Sequence, residues 1–384
     1  MDVDELIALY FQFGLPYKDI AALLARRHSY VVSERHIKRI LKSCGLFRRK
    51  GYTNLEYVVG FIQTQLQTTG QLNGYRWMFT KCLENGLKVK KEEVRIILKE
   101  LDPRGVELRR TRRLHRRSYF AKGPNYIWHL DSYDKLKPFG ICINGCIDGF
   151  SRKIIWMNAF TTSSDPKIIG GYFMDAVKKT DGCPRIVRGD RGTENVRVRD
   201  FQRFLRRDIQ DDSDIDSYIE GASTSNQRIE SWWGFLRRES MEFYISLLVD
   251  LKDRGLYNGE YLDKSLVQFC FLGIIQDELD EMTSVWDSHI IRPSKNYRVP
   301  SGRPKVMYMF PDLYSTRDCI SPVNSDDVQL CITNCAFRQA TPCDTDINNL
   351  CNFLMAESHL QLPSDGFQAI DLYLHLRTSI RTSL

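Results

Sequence analysis

Three acidic residues stand where carboxylates can act together on a phosphate ester. Asp131 closes the largely apolar run 127–130, Asp190 closes the run 185–189, and Glu230 lies in a segment with the pattern of a helix start. Two strand-end carboxylates and one helical carboxylate can converge on a pair of divalent cations. Such a pair activates water and stabilises the leaving oxygen when a phosphodiester is cut or joined. Hard oxygen ligands favour Mg²⁺ or Mn²⁺ over zinc.

The composition is that of a soluble globular protein. A chain of 384 residues has room for two to four domains, and its 42% hydrophobic and 27% charged residues are ordinary values. No apolar run approaches the roughly 18 residues that span a membrane. The acidic first residues lack an apolar segment, so we expect no secretory signal. The 11 scattered cysteines are typical of reduced thiols in the cytosol or nucleus.

Charge is distributed unevenly along the chain. Residues 1–128 hold 25 Lys and Arg against 12 Asp and Glu, a balance of +13, whereas the remaining residues hold 30 against 36, a balance of −6. A basic front half indicates a polyanionic partner, and nucleic acid is the simplest one. A basic surface that serves solubility alone is the alternative.

Residues 1–50 predict a helix-turn-helix module of three short helices. The third helix starts after Ser33, a favourable N-cap, and places Ile37, Ile40 and Leu41 at helical spacing. A last helix with a cationic outer face is typical of one that enters a DNA major groove, although a three-helix core without a DNA role is the alternative. The cations on that face are Arg35, Lys38, Arg39 and Lys42.

A second helical module is predicted over residues 51–105, and a basic linker over residues 106–122. Glycines punctuate the helical segments 55–69, 75–85 and 91–101 of this module. A charge run is usually a solvated linker, but one that leads into a phosphodiester-cutting domain is placed to follow a DNA backbone. The predicted contacts in this linker are Arg109, Arg110, Arg112 and Arg113.

From residue 124 the pattern changes from helices to strands. Apolar runs at 126–133, 140–148 and 153–159 with short breaks predict an antiparallel meander. Asp165-Pro166 predicts a helix start, residues 184–189 a fourth strand, and residues 193–206 a helix. A long helix from about Asn226 carries the third acid. This order predicts an α/β domain with a mixed sheet.

Four segments, taken in order, resemble one known family. They are residues 123–131 around the first acid, 147–154 with the sequence Ile-Asp-Gly-Phe-Ser-Arg-Lys-Ile, 189–195 around the second acid, and 226–239 around the third. These motifs resemble the catalytic core of retroviral integrases, long-terminal-repeat retrotransposons and bacterial insertion-sequence transposases. That is the DDE group of the ribonuclease H-like superfamily. The motif-bearing core is assigned to residues 123–290, and residues 291–384 form a C-terminal extension of unknown role.

The resemblance implies a fold and an activity. The fold is a ribonuclease H-like mixed five-stranded sheet flanked by helices and preceded by the all-α helix-turn-helix modules. The activity is DNA strand transfer, in which Asp131, Asp190 and Glu230 are both the catalytic residues and the ligands of two Mg²⁺ or Mn²⁺ ions. Double-stranded DNA and further copies of the chain are the implied partners. A transposon-derived DNA-binding protein without catalysis and a metal-dependent nuclease are the alternatives.

Other residues near these motifs have more than one interpretation. Glu220 is the main alternative to Glu230 as the third catalytic acid. It precedes a glycine in a predicted loop, however, and a loop positions an acid less precisely than a helix does. Asp148 lies beside the first strand and is a further candidate acid, but a structural salt bridge to Arg152 or Lys153 explains its presence equally well. Further DNA contacts are predicted at Arg191, Asn195, Arg228 and Arg237.

Two expectations concern the C-terminal extension and location. Four of its cysteines lack a Cys-x-x-Cys pair, so we expect buried free thiols rather than a zinc site. They are Cys331, Cys335, Cys343 and Cys351. A DNA substrate predicts a nuclear location if the source is a eukaryote and a cytoplasmic one otherwise.

Overall fold

The structure of the chain is a computed structural model that describes residues 2–108, 120–208, 216–221, 226–293, 299–338 and 341–383. The predicted contacts at Arg109, Arg110, Arg112 and Arg113 lie outside these ranges. Among the described helices, none combines the length and the apolar character that crossing a bilayer requires.

The N-terminal module consists of three helices, as the sequence predicts. They are α1 (Val3–Gln12), α2 (Tyr17–His28) and α3 (Glu34–Ser43). Ser33 caps α3, because its hydroxyl accepts a hydrogen bond of 3.2 Å from the backbone N–H of His36. The core of the module buries Ile7, Leu24 and Ile37 completely and includes Val306 and Phe310 from the C-terminal part of the chain. The module is therefore packed against the rest of the protein.

The second module contains four helices, which are α4 (Leu55–Leu66), α5 (Tyr75–Glu84), α6 (Lys91–Leu101) and α7 (Pro103–Leu108). Several polar contacts attach it to the rest of the chain, including those of Lys81 and Asn73. Lys81 is fully buried and pairs with Glu281 at 3.2 Å. Buried Asn73 donates a hydrogen bond of 2.8 Å to the carbonyl of Glu239. That carbonyl lies in a π-helical turn, where the backbone has carbonyls available to partners outside the helix.

The central domain is built on one five-stranded mixed sheet, which confirms the predicted fold. Its strands, in the spatial order β3-β2-β1-β4-β5, are β1 (Ile127–Tyr133), β2 (Cys142–Asp148), β3 (Ile154–Phe160), β4 (Ile186–Gly189) and β5 (Tyr218–Glu220). The first three strands form an antiparallel meander, and β4 and β5 add parallel to β1.

Helices cover both faces of this sheet. One face packs on α8 (Pro166–Thr180) and α9 (Val196–Leu205), and the other on α10 (Gln227–Leu236), α11 (Glu242–Asp253) and α12 (Tyr261–Ser288). Side chains alternate between the faces of a strand. Trp128 and Leu130 of β1 lie in the cluster with α8 and α9, whereas Tyr133 lies in the cluster with α10 to α12. By the same alternation Asp131 faces α10.

The structure corrects the expectations for two acidic residues. Glu220 ends β5 rather than lying in a loop, and its carboxylate accepts a hydrogen bond of 3.0 Å from Arg199. Of the two salt bridges considered for Asp148, the one to Lys153 is not formed, because Lys153 pairs with Asp287 at 3.5 Å. The Asp148 carboxylate instead accepts hydrogen bonds from the hydroxyl and N–H of Ser151, which close the β2–β3 turn.

The C-terminal extension completes the hydrophobic cores. Its helices are α13 (Pro304–Met309), α14 (Ser325–Ile332), α15 (Thr345–Glu357) and α16 (Gly366–Ser383). Cys331 of α14 packs with α8 and α9, and Tyr373 of α16 is buried with α12. All four predicted cysteines carry free thiols; Cys335 is half-buried and the other three are buried.

A buried ion pair joins α16 to α12. Asp263 is completely buried and accepts a hydrogen bond of 2.9 Å from Arg377. We expect Arg377→Met to lower the free energy of unfolding by about 2 to 3 kcal/mol, because it leaves a buried carboxylate with the more distant Arg381 as its cationic partner. Urea unfolding measures this loss.

The matched control is Arg254→Met. Arg254 forms an exposed pair with Asp250 at 3.1 Å, so its loss should cost no more than about 0.5 kcal/mol. Equal effects of the two substitutions would contradict the role assigned to the Asp263 pair.

Candidate active site

The first two acids lie at the ends of neighbouring parallel strands. β1 and β4 pair with His129 opposite Arg188. Continuing this register by two residues brings Asp131 opposite Asp190, just beyond the last residue of β4. The third acid, Glu230, is in the first turn of α10, the helix that packs on the same face of β1. The three acids of the sequence prediction therefore lie on the same side of the domain, at the carboxyl ends of the inner strands β1 and β4.

The charges of neighbouring acids act on both Asp131 and Glu230. Burial is the main reason that the pKa of Asp131 is raised to about 7, and the charges of Glu230 and Asp190 add to the rise. Burial and the charge of Asp190 also raise the pKa of Glu230. Like charges in a partly buried site disfavour simultaneous ionisation. The arrangement therefore favours any cation that enters between these groups.

Trp233 holds the carboxylate of Asp131. Its indole Nε1–H donates a hydrogen bond of 2.9 Å to Oδ2 of Asp131. Trp233 lies one helical turn after Glu230, so one helix carries both the third acid and the donor to the first. Its ring packs on Tyr133, with 5.5 Å between the ring centroids. This bond stabilises the ionised form of Asp131 and lowers its pKa against the effect of burial.

A glycine on the neighbouring strand makes room for this contact. Gly145 lies directly opposite Asp131 in the β1–β2 ladder. A Cβ atom at position 145 would come within 2.8 Å of the Trp233 ring and 2.6 Å of the Met157 methyl group. Any larger residue would therefore push the indole away from β1.

Asn226 ties the start of α10 to the same strand. Its side-chain Nδ2 donates a hydrogen bond of 2.8 Å to the carbonyl of Leu130. That bond fixes the orientation of the amide, so its Oδ1 accepts from Nδ1–H of His129 at 2.7 Å. Burial lowers the pKa of His129 to about 3, and the imidazole is neutral at physiological pH. His129 is therefore a structural partner of Asn226 and no proton acceptor for a substrate.

Asp190 is held by the turn that follows it. Nδ2 of Asn195 donates a hydrogen bond of 2.7 Å to Oδ1 of Asp190, and the backbone N–H of Gly192 donates one of 3.2 Å to the same oxygen. Asn195 is only 3% exposed. Its predicted role as a DNA contact is therefore accompanied by a clear structural one, the orientation of the second acid.

The other predicted DNA contacts differ in their surroundings. On α3, Arg35, Lys38, Arg39 and Lys42 are all exposed, and Arg191 is exposed beside Asp190. Arg228 donates a hydrogen bond of 3.1 Å to the carbonyl of Gly149. Arg237 pairs with Glu242 at 2.6 Å. Exposure leaves the first group accessible to a phosphate backbone. Two of its members nevertheless have partners on α3, since Lys38 pairs with Glu34 at 3.8 Å and Arg39 contacts His36 at 2.9 Å. Arg237 is exposed as well, so its protein partner does not separate it from that group.

The trio has suitable chemistry for divalent metal ions. Three carboxylates from two strand ends and a helix provide hard oxygen ligands, the type that Mg²⁺ and Mn²⁺ prefer. Within the described residues, no three His, Cys, Asp or Glu side chains are close enough together to bind one ion as they stand. The three carboxylates would have to move closer to share ions, and a bound cation would offset the repulsion between them.

A ribonuclease H-like sheet with acids at the ends of β1 and β4 and on the following helix defines a class of nucleic-acid enzymes and their relatives. Residues 118–303 match the model of a protein family described as "Integrase core domain". This part of the chain is therefore an integrase core domain. It begins 5 residues before the motif-bearing segment 123–290 and ends 13 residues after it. A search among curated proteins found no match.

The sequence interpretation missed three residues of this site. The sequence patterns assign no role in the site to Trp233, Asn226 or Gly145. Asn226 precedes Glu230 by four residues, a spacing that places it at the start of the acid-bearing helix. The contact of Trp233 depends on the absence of a side chain at position 145 of another strand, which no local pattern indicates.

The Trp233 contact predicts a change in the pKa of Asp131. Trp233→Phe keeps an aromatic ring but removes the N–H donor, so the pKa of Asp131 should rise above about 7. Carboxyl ¹³C NMR titration measures it. Trp156→Phe is the matched control, because Trp156 donates an equivalent 2.8 Å bond to Asn144. The same pKa in both variants would contradict the role of Trp233.

The raised pKa of Asp131 also predicts a dependence of stability on pH. Between about pH 4 and 7, folded Asp131 retains a proton that the unfolded chain has released, so without divalent ions stability falls as pH rises through this range. Asp131→Asn should reduce the loss of unfolding free energy between pH 5 and pH 8 by more than about 1 kcal/mol. Urea unfolding in EDTA measures this.

Two other buried carboxylates titrate in the same pH range, so part of the pH dependence of stability should remain in Asp131→Asn. The pKa values of Asp148 and Asp287 are raised by burial to about 6, and both residues are present in the wild type and the variant. An unchanged pH dependence in Asp131→Asn would mean that Asp131 titrates normally in the folded protein.

Proposed function

We propose that this protein is a DNA strand transferase of the DDE type, which cuts a phosphodiester and joins the released end to a second duplex. The observation that carries the proposal is the gathering of Asp131, Asp190 and Glu230 on one side of an integrase core domain, at the carboxyl ends of β1 and β4. Two bound Mg²⁺ or Mn²⁺ ions supply the activation of the attacking oxygen and the stabilisation of the leaving oxygen.

The residues of the chain have distinct tasks in this proposal. Asp131 and Asp190 present oxygens from adjacent strand ends, and Glu230 presents its carboxylate from α10. Trp233 and Asn195 fix the orientation of the first two carboxylates, which lowers the conformational cost of assembling the site. Neutral His129 is buried and bonded to Asn226, so it is not the base of this reaction.

The partner that best suits the basic front half is double-stranded DNA. The exposed cations of α3 form a recognition surface of the helix-turn-helix type. By analogy with the family, further copies of the chain assemble around the DNA ends. We also propose a nuclear location in a eukaryotic source and a cytoplasmic one otherwise, because that is where the substrate lies.

The test is a joining reaction with purified protein, Mn²⁺, a labelled duplex and supercoiled plasmid. Asp131→Asn and Glu230→Gln should each abolish product formation, because a neutral amide is a poor ligand for these ions, while duplex affinity stays nearly the same. The matched control is Glu220→Gln, which makes the same change in a carboxylate already paired with Arg199 and should leave activity intact.

The products separate the rival functions. Labelled strands joined to plasmid support strand transfer, and nicks without joining indicate a nuclease. Duplex binding without any product indicates a DNA-binding protein that has lost catalysis. Full activity in Asp131→Asn or Glu230→Gln would overturn the assignment of the acids.

A further inference from the structure

A cleft lies where the N-terminal module meets the C-terminal part of the chain. It has a volume of about 550 Å³ and is lined by Arg26, Asp312, Ser315, Thr316 and Arg317. Arg26 belongs to α2 of the helix-turn-helix module, and the other four residues follow α13. The cleft thus lies at the junction between the N-terminal module and the segment after α13, and it is open to solvent.

The positive charge in this cleft exceeds the negative charge. Its one acid, Asp312, already accepts a hydrogen bond of 3.1 Å from Arg27, a neighbour of the cleft. Arg26 donates a hydrogen bond of 2.7 Å to the backbone carbonyl of Asp312, a contact that orients the guanidinium without neutralising it. The charges of Arg27 and Asp312 cancel each other, and the positive charge of Arg26 remains unneutralised.

A second unneutralised guanidinium belongs to Arg317. Among the described residues it has no ion-pair partner within 4 Å, and the adjacent acid, Asp318, bonds instead to Asn125 at 2.9 Å. Lys122 adjoins this wall through its backbone, because its carbonyl accepts a hydrogen bond of 2.5 Å from the hydroxyl of Thr316, while its ammonium lies over the ring of Tyr126. Like charges that face one cleft repel each other unless an anion lies between them.

The geometry points to a site for a phosphate group, and we propose that it binds a backbone phosphate of the same duplex that α3 reads. Arginine guanidinium groups and hydroxyls are the usual protein partners of DNA phosphates. Arg26 stands near the end of α2, which leads directly into α3 and its four exposed cations. The duplex would then contact the N-terminal module and the segment after α13 together.

This inference rests on the DNA partner of the proposed function, but not on catalysis. A shared phosphate contact fixes the position of the bound duplex relative to the central domain. The interface between the two parts supports such a fixed relation, since Val306 and Phe310 are buried in the core of the N-terminal module.

The test is the salt dependence of duplex binding by the full chain, measured by fluorescence anisotropy in EDTA. Arg26→Gln and Arg317→Gln should each weaken binding several-fold, equally for different DNA sequences. Each should lower the slope of log affinity against log salt by about 1, as expected when one phosphate contact is lost. The matched control is Arg254→Gln, just after the end of α11, which should leave the slope unchanged.

Arg317→Gln is the decisive variant, because the side chain of Arg317 makes no ion pair whose loss would unfold the described structure. An unchanged slope in this variant, with normal duplex binding by the wild type, would overturn the inference alone. Loss of inorganic phosphate binding, measured by ³¹P NMR, with an unchanged duplex slope would show a site for free anions and would also overturn it.

Failure of the wild type to bind any duplex would remove both this inference and the proposed function. A reduced slope in a protein that joins no DNA would support the phosphate site and contradict strand transfer. The two proposals are therefore tested separately.

Discussion

Repulsion among three carboxylates is the constraint that organises the central domain. Asp131, Asp190 and Glu230 come from distant parts of the sequence, and partly buried like charges disfavour one another. The fold opposes this repulsion with neutral donors. The indole of Trp233 holds the first acid and the amide of Asn195 the second, and neither adds a positive charge that would compete with a metal ion.

The position of α10 depends on the same strand that carries the first acid. Asn226 bonds to the carbonyl of Leu130 and to His129, and Trp233 bonds to Asp131 about two turns later. These contacts attach both ends of the Glu230-bearing segment to β1. Gly145 on β2 leaves the space that the indole needs. A short part of the central sheet thus controls the geometry of the whole acidic site.

Much of this arrangement could be predicted from the sequence. Apolar runs that end in Asp131 and Asp190 and a helical pattern around Glu230 are local signals, and their order indicates the mixed sheet. The remaining contacts are tertiary. The strand ending in Glu220 has only three residues and lacks a clear alternation, so it resembled a loop. The burial of Val306 and Phe310 by the N-terminal module joins segments almost 300 residues apart, and no periodicity indicates such a pairing.

The most direct test of the central claim is a crystal structure of the protein soaked with Mn²⁺. The account predicts anomalous density between Asp131, Asp190 and Glu230, with carboxylate oxygens about 2.1 Å from the ions. The Trp233 indole should still donate to Asp131. Ions bound elsewhere, with the three carboxylates remaining apart at high Mn²⁺ concentration, would contradict the account.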